Sequence, residues 1–134
     1  MSFPDLRYFR PEEFSNPGMM EPALLELLDE ARHRLGSPLR ITSSFRPGAV
    51  APSGGPSLHA SGAAVDMHSP GMPCVELYLA LERMELFGGI GIYPWWAQPG
   101  VHVDIGPRGR RWVCASVGRY YPLTMGTLVA AASR

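Results

Sequence analysis

Apolar residues recur at helical spacing along residues 21–35, where Leu24, Leu27, Leu28, Ala31 and Leu35 fall on one face. Pro22 suits a first helical turn, where its missing N–H costs nothing, and Gly36 is a natural C-terminal stop. Arg32, His33 and Arg34 complement the negative end of the helix dipole, so His33 reads as a solvated helix-end residue. A second helix is predicted over Pro73–Leu86, with Gly88 and Gly89 ending it. Its stripe is imperfect. Val75, Leu79, Glu82 and Leu86 share one face and Tyr78, Leu81 and Glu85 another, which leaves the packed face open.

Shorter runs read as strands: Leu39–Ser43, Ala63–Met67, Gly89–Tyr93, Val101–Ile105 and Arg111–Ala115. The segment PWWAQPG joins the third and fourth of these as a broad loop, so they are expected to be antiparallel neighbours. Residues 46–57, RPGAVAPSGGPS, are too rich in Pro and Gly for either regular element. A loop of that length inside a compact domain is usually functional or mobile. Residues 1–20 should wrap the surface, with one short helix at Pro11 to Phe14 and with Phe3, Tyr8, Phe9 and Phe14 as anchors. Residues 118–134 stay open: Leu123 to Ala132 reads either as a terminal helix or as a loosely held tail. There is no internal repeat.

Composition narrows the picture. A chain of 134 residues with 46% apolar content is expected to form a single domain, residues 1–134, with a real core. The formal net charge is zero, which argues against nucleic acid as a partner. No apolar run approaches the length of a membrane span, and MSFPDLRYFR lacks the apolar core of a secretory signal. The expectation is therefore synthesis in the cytoplasm without membrane attachment. All 12 basic residues are Arg, so lysine chemistry is excluded. The two cysteines, Cys74 and Cys114, form no CxxC pair. They read as buried thiols, with a disulfide or a reactive thiol as alternatives.

The stretch Ser57-Leu-His59-Ala-Ser-Gly62-Ala-Ala64-Val-Asp66 sets a His on the lip of the glycine-rich loop and an Asp on the strand that follows. Downstream, Val101-His102-Val103-Asp104 alternates, so His102 and Asp104 share one strand face. Taken singly, Asp66 could be a turn residue, and Asp104 could cap the turn at Gly106. Together, His59, Asp66 and His102 form the His/carboxylate set that catalytic zinc takes, with a fourth position left for water. With the metal, such a set carries formal charge +1, which favours an anionic substrate. Gly62 is expected to let the loop approach the metal. Trp95 and Trp96, in the loop before the last ligand strand, read either as a cleft wall or as covers for the core.

The pattern S-x-H-x-x-G-x-A-x-D followed by H-x-D resembles the zinc D-alanyl-D-alanine carboxypeptidase family, whose fold the hedgehog amino-terminal domain shares. The likeness covers roughly residues 20–115. It includes Ile41 to Pro47 (ITSSFRP), Gly88 to Pro94 (GGIGIYP) and His102 to Arg108 (HVDIGPR). The resemblance implies that His59, Asp66 and His102 bind zinc. It implies that Arg46 faces the site and holds a substrate carboxylate or the polarised carbonyl oxygen, as a guanidinium can. It also implies that Ser57 steadies the histidine loop.

One departure stands out. Family members carry a Glu three residues before the third ligand, or a His two before it, as acid/base. Here those positions are Pro99 and Gly100. Asp104, on the strand face of His102, is the first substitute, and His68, two residues past Asp66, is the second.

The expected molecule is thus an α+β domain, a small antiparallel sheet with helices on one face and a zinc cleft on the other. The expected activity is zinc-dependent hydrolysis of peptidoglycan stem peptides by a monomer, phage-associated and reaching the cell wall after release. The alternative is a weakly active or inactive zinc-binding module used for cell-wall binding or virion assembly.

Overall fold

The structure, a computed structural model, describes residues 3–133. Met1, Ser2 and Arg134, at the ends of the expected wrap and tail, lie outside the described residues. Helix α1 runs Pro22–Leu35, with Pro22 in its first turn and Gly36 capping it at φ 71°. It buries Leu24, Leu25, Leu28 and Ala31. Each large side chain so buried contributes roughly 1.5–3 kcal/mol. His33 is exposed, and its Nδ1 lies 2.8 Å from the Tyr8 hydroxyl.

The N-terminal segment is tied to α1 chiefly through one buried carboxylate, with Glu30, Arg32 and His33 adding exposed bonds. Buried Asp29 accepts hydrogen bonds from the backbone N–H of Arg7 (3.1 Å) and of Tyr8 (2.9 Å). Phe9 and Phe14 enter the core, while Phe3 packs at its edge and Tyr8 stays largely exposed.

Six strands form one sheet: β1 (Arg40–Ser43), β2 (Ala64–His68), β3 (Gly89–Tyr93), β4 (Gly100–Asp104), β5 (Arg110–Ser116) and β6 (Arg119–Pro122). Their order is β1-β2-β4-β3-β5-β6. Every pair is antiparallel except β3 with β5. Val65 and Met67, Ile90 and Ile92, Val101 and Val103, and Val113 form the apolar face, which joins the core beneath the helices. Helix α2 (Cys74–Met84) packs there through Leu77, Tyr78 and Leu81. Of the two faces read from the sequence, the Tyr78/Leu81 one is buried, while Val75 and Leu86 of the other are only partly buried at the core's edge. Leu79 is exposed, and Glu82 instead accepts hydrogen bonds from Arg111 at 2.9 and 3.0 Å.

Three expectations shift. Helix α2 stops at Met84 because Glu85 takes a left-handed cap at φ 55°, ahead of Gly88 and Gly89. Residues 118–134 hold both a sixth strand, β6, and a short helix α3 (Met125–Ala132), opened by a Thr124–Thr127 capping box. The strand escaped sequence reading because all four of its residues are exposed, so no apolar alternation marks it. Cys74 and Cys114 are both free and buried, and burial pushes the Cys74 thiol up. Among the described residues, no helix is long and apolar enough to cross a membrane.

Candidate metal centre

The polar face of the sheet carries the site, and the register of its central strands explains why. Asp66 of β2 pairs with His102 of β4, His102 with Gly91 of β3, and Gly91 with Trp112 of β5. These residues make one rung across the sheet. One rung along stand Ala64, Asp104, Gly89 and Arg110. Gly89 and Gly91 keep β3 flat here. A Cβ at Gly91 would lie 2.4 Å from the Trp112 indole, and one at Gly89 would lie 2.5 Å from the Asp104 carboxylate. The indole therefore crosses β3 and meets the His102 ring at a centroid distance of 5.2 Å.

His59 arrives from outside the sheet, on a 3₁₀ turn over Leu58–Ser61. Ser57 caps that turn, its Oγ accepting a hydrogen bond from the His59 N–H at 3.2 Å. Gly62 ends it at φ 72°, a conformation that favours glycine. The close approach at Gly62 is to the Met19 backbone, whose carbonyl oxygen a Cβ would meet at 2.0 Å, rather than to the metal cluster as expected from the sequence.

One ligand atom each from His59, Asp66 and His102 lies within 4.8 Å of the others, and all three residues are buried. His59 Nε2 and His102 Nδ1 each stand 3.2 Å from Asp66 Oδ1. The outer ring nitrogens are already engaged. His59 Nδ1 donates to the Ser44 carbonyl at 2.8 Å, and His102 Nε2 donates to Asp104 Oδ2 at 2.7 Å. Outer acceptors of this kind fix the tautomer and leave the inner nitrogen's lone pair for a metal. Ser44 is itself pinned by the N-terminal wrap, its Oγ accepting from the Ser15 N–H at 2.9 Å. The donor set and its outer bonds thus fit a zinc ion.

Charge is arranged to match. Burial pushes the Asp66 carboxyl up, but hydrogen bonds from His102 and His59 outweigh it and hold it at about 2. Burial lowers His102, yet Asp104 and Asp66 raise it above its ordinary value. Asp104 is likewise raised by burial and lowered on balance by His102 and Arg110.

The remaining residues singled out from the sequence divide between two places. Arg46 lines the same cleft of about 680 Å³, half-exposed, with its guanidinium 3.9 Å from Asp66 Oδ2. Ser57, Trp95 and Trp96 line it too. Trp96 stacks on Tyr93 at 4.2 Å, and Trp95 meets Trp96 edge-on at 6.5 Å.

Asp104 lines the cleft from behind His102. It is fully buried behind His102, and it bonds that ring's outer nitrogen, the Gly106 N–H at 3.0 Å and the Arg110 guanidinium. The turn cap and the histidine partner are the same carboxylate. His68, by contrast, is not among the residues that line the cleft. It lines a second groove, with Pro94, Gln98 and Pro99 of the β3–β4 loop and the start of α2. Strand alternation alone set it beside Asp66, but at the end of β2 the chain turns away through Ser69–Met72.

Trp112, Tyr93, Tyr120, Arg110 and Ser44 were missed as site residues. The sequence did hold a signal for the first two. Glycines at period two before a tyrosine, Gly89-x-Gly91-x-Tyr93, mark a strand face stripped to admit side chains from its neighbours.

A His₂Asp cluster with its outer nitrogens bound to a carbonyl and a carboxylate defines a zinc-hydrolase type of centre. A family model described as Peptidase M15 matches residues 9–104, a span that takes in all three ligands and Asp104. The chain belongs to the peptidase M15 family, the zinc D-alanyl-D-alanine carboxypeptidase family that its motif resembles. No curated protein and no solved structure matches it.

Proposed function

We propose that this protein is a zinc peptidase that hydrolyses peptide bonds of peptidoglycan stem peptides. The observation that carries the reading is the convergence of His59 Nε2, Asp66 Oδ1 and His102 Nδ1 inside the span matched by the peptidase family. A zinc ion held there supplies a Lewis acid for the scissile carbonyl and a water whose pKa falls toward about 7.

The chain's own residues do the rest. Asp66 supplies the one anionic ligand. Asp104 holds His102 by its outer nitrogen and keeps the ring's orientation, with Arg110 balancing the buried charge. Arg46 offers a half-exposed guanidinium at the cleft edge, suited to a substrate carboxylate or to the carbonyl oxygen. Trp95 and Trp96 give the cleft an aromatic wall against which a peptide packs.

A second reading is favoured by one specific observation. Gly100 occupies a position where family members carry a histidine, and a Cβ there would meet the Met67 carbonyl oxygen at 2.2 Å. No acid/base side chain can be placed at Gly100 without moving β2. That favours a zinc-binding module without turnover, used for cell-wall binding or assembly. Incubating zinc-loaded protein with purified muropeptides separates the two. Release of D-alanine or of shortened stems supports the peptidase, whereas stoichiometric zinc without any product supports the module.

A further inference from the structure

Four aromatic groups outside the ligand set form a chain along the cleft. Tyr93 closes β3, and its ring is clamped flat against Trp96 at 4.2 Å with the planes 13° apart. Its hydroxyl accepts a hydrogen bond from Trp112 Nε1–H at 3.1 Å. The Trp112 ring in turn packs on the ligand His102. Tyr93 is therefore about 9% exposed, held on two sides, and directed into the space that also holds the three ligands.

A phenol has one proton to give. Because Trp112 occupies the acceptor side of the Tyr93 oxygen, that proton must point elsewhere. Tyr120, on edge strand β6, lines the same cleft and is 44% exposed, so this side of the cleft is open to an incoming group.

We propose that Tyr93, positioned by Trp112, donates a hydrogen bond to the scissile carbonyl oxygen as it gains negative charge. Tyr93 keeps its proton throughout; no bond to it forms or breaks. Burial pushes its phenol up, which favours the neutral, proton-bearing form. Donors aimed at a developing oxyanion in a water-poor site give large returns in rate. His59 and His102 are committed to the cluster, and of the two remaining fixed donors in the cleft, Tyr93 and the unpartnered Trp95 Nε1–H, Tyr93 is the one tied through Trp112 to the ligand His102. Arg46 is half-exposed and screened by solvent, and Tyr93 is fixed. This inference rests on the peptidase reading.

The test is calorimetric binding of a phosphinate pseudo-dipeptide, whose tetrahedral P–O⁻ stands in for the oxyanion. Zinc-loaded wild-type protein, Tyr93→Phe and Tyr120→Phe are compared, each with its zinc content and melting temperature. Tyr93→Phe keeps the ring and its stacking on Trp96. It is expected to hold one zinc per chain and to weaken phosphinate binding about 10- to 100-fold. Tyr120→Phe is expected to stay within about threefold of wild type, since it removes a hydroxyl on a half-exposed ring at the cleft edge. Unchanged phosphinate affinity in zinc-loaded Tyr93→Phe overturns the inference alone. A loss in Tyr120→Phe as large as in Tyr93→Phe overturns the assignment to Tyr93. Wild-type protein that takes up zinc but does not bind the phosphinate, or takes up no zinc, overturns the peptidase reading and the inference together.

Discussion

His102 and His68 stand on neighbouring inner strands, and alternation sets both on the face that carries Asp66, yet only His102 joins the His59–Asp66 cluster that could hold a metal ion. His102 has a partner at each ring nitrogen, Asp66 on the inner side and Asp104 on the outer. His68 Nδ1 is buried with no hydrogen-bond partner, and so is the neighbouring Ser69 Oγ. Burial and the nearby Arg40 charge both lower His68, whereas the carboxylates around His102 raise it. The difference lies in the rung. Next to His102 stand Asp66, then Gly91 with the Trp112 indole across it. Next to His68 stand Arg40 of β1 on one side and Gly100, which offers no side chain, on the other, so no carboxylate faces its ring across the strands. A strand face brings a residue near a site, but cross-strand neighbours decide whether it joins.

The largest effect expected from breaking this comparison is at the ligands. His102→Ala is expected to abolish stoichiometric zinc binding, read by metal analysis after dialysis. Retained zinc would show that the three converging atoms are not the binding set. Next comes the outer shell. Asp104→Asn keeps the shape but removes the charge behind His102, and zinc affinity is expected to fall about 10- to 100-fold in a competition titration. Near-wild-type affinity, with hydrolysis abolished, would instead favour a proton-transfer role for Asp104.

Gly91→Ala drives a methyl group into the Trp112 ring. It is expected to cost about 1–3 kcal/mol in denaturant unfolding, together with a change in tryptophan fluorescence. A neutral result would mean that the indole does not cross β3.

The pH dependence of the metal-free protein is a subtler expectation. Asp66, held at about 2 against an ordinary 3.8, favours the folded state above 3.8 and loses this as pH falls toward 2. His102, raised above 6.5, contributes fully below 6.5 and loses its contribution as pH rises through its folded value. The cluster's stabilisation should therefore be greatest between about pH 4 and pH 6.5, and zinc should extend it upward, because its ligands bind as neutral imidazoles. A melting-temperature profile of the metal-free protein that does not fall on either side of that window would contradict the ion pairing. The smallest effect belongs to His68. His68→Ala should leave zinc affinity within about twofold, since its ring lines the other groove; a larger loss would bring it back into the site.

Much of this was legible in the chain. The α1 stripe, strands β1 to β5 and the His59, Asp66 and His102 cluster each follow from a short-range period or spacing, and period is what a sequence displays. What was not legible depended on cross-strand register. Asp104 reads from its strand as a neighbour of His102, but its further bonds to Arg110, on the same rung, and to the Gly106 N–H depend on how the strands and the turn are laid together. Trp112 looks like one more strand aromatic until β3 is laid beside it and Gly91 proves to be its seat. Strand β6 gave no signal because both of its faces are solvated. Glu85 ended α2 early through a left-handed cap that a Glu side chain rarely adopts.

The most direct test of the account is metal analysis of the purified protein beside His59→Ala, each after exposure to zinc and exhaustive dialysis. The account predicts close to one zinc per wild-type chain and none in the variant, with the melting temperature rising on zinc addition only in the wild type. No zinc in the wild type, or equal zinc in both, would contradict the metal centre on which the proposed function rests.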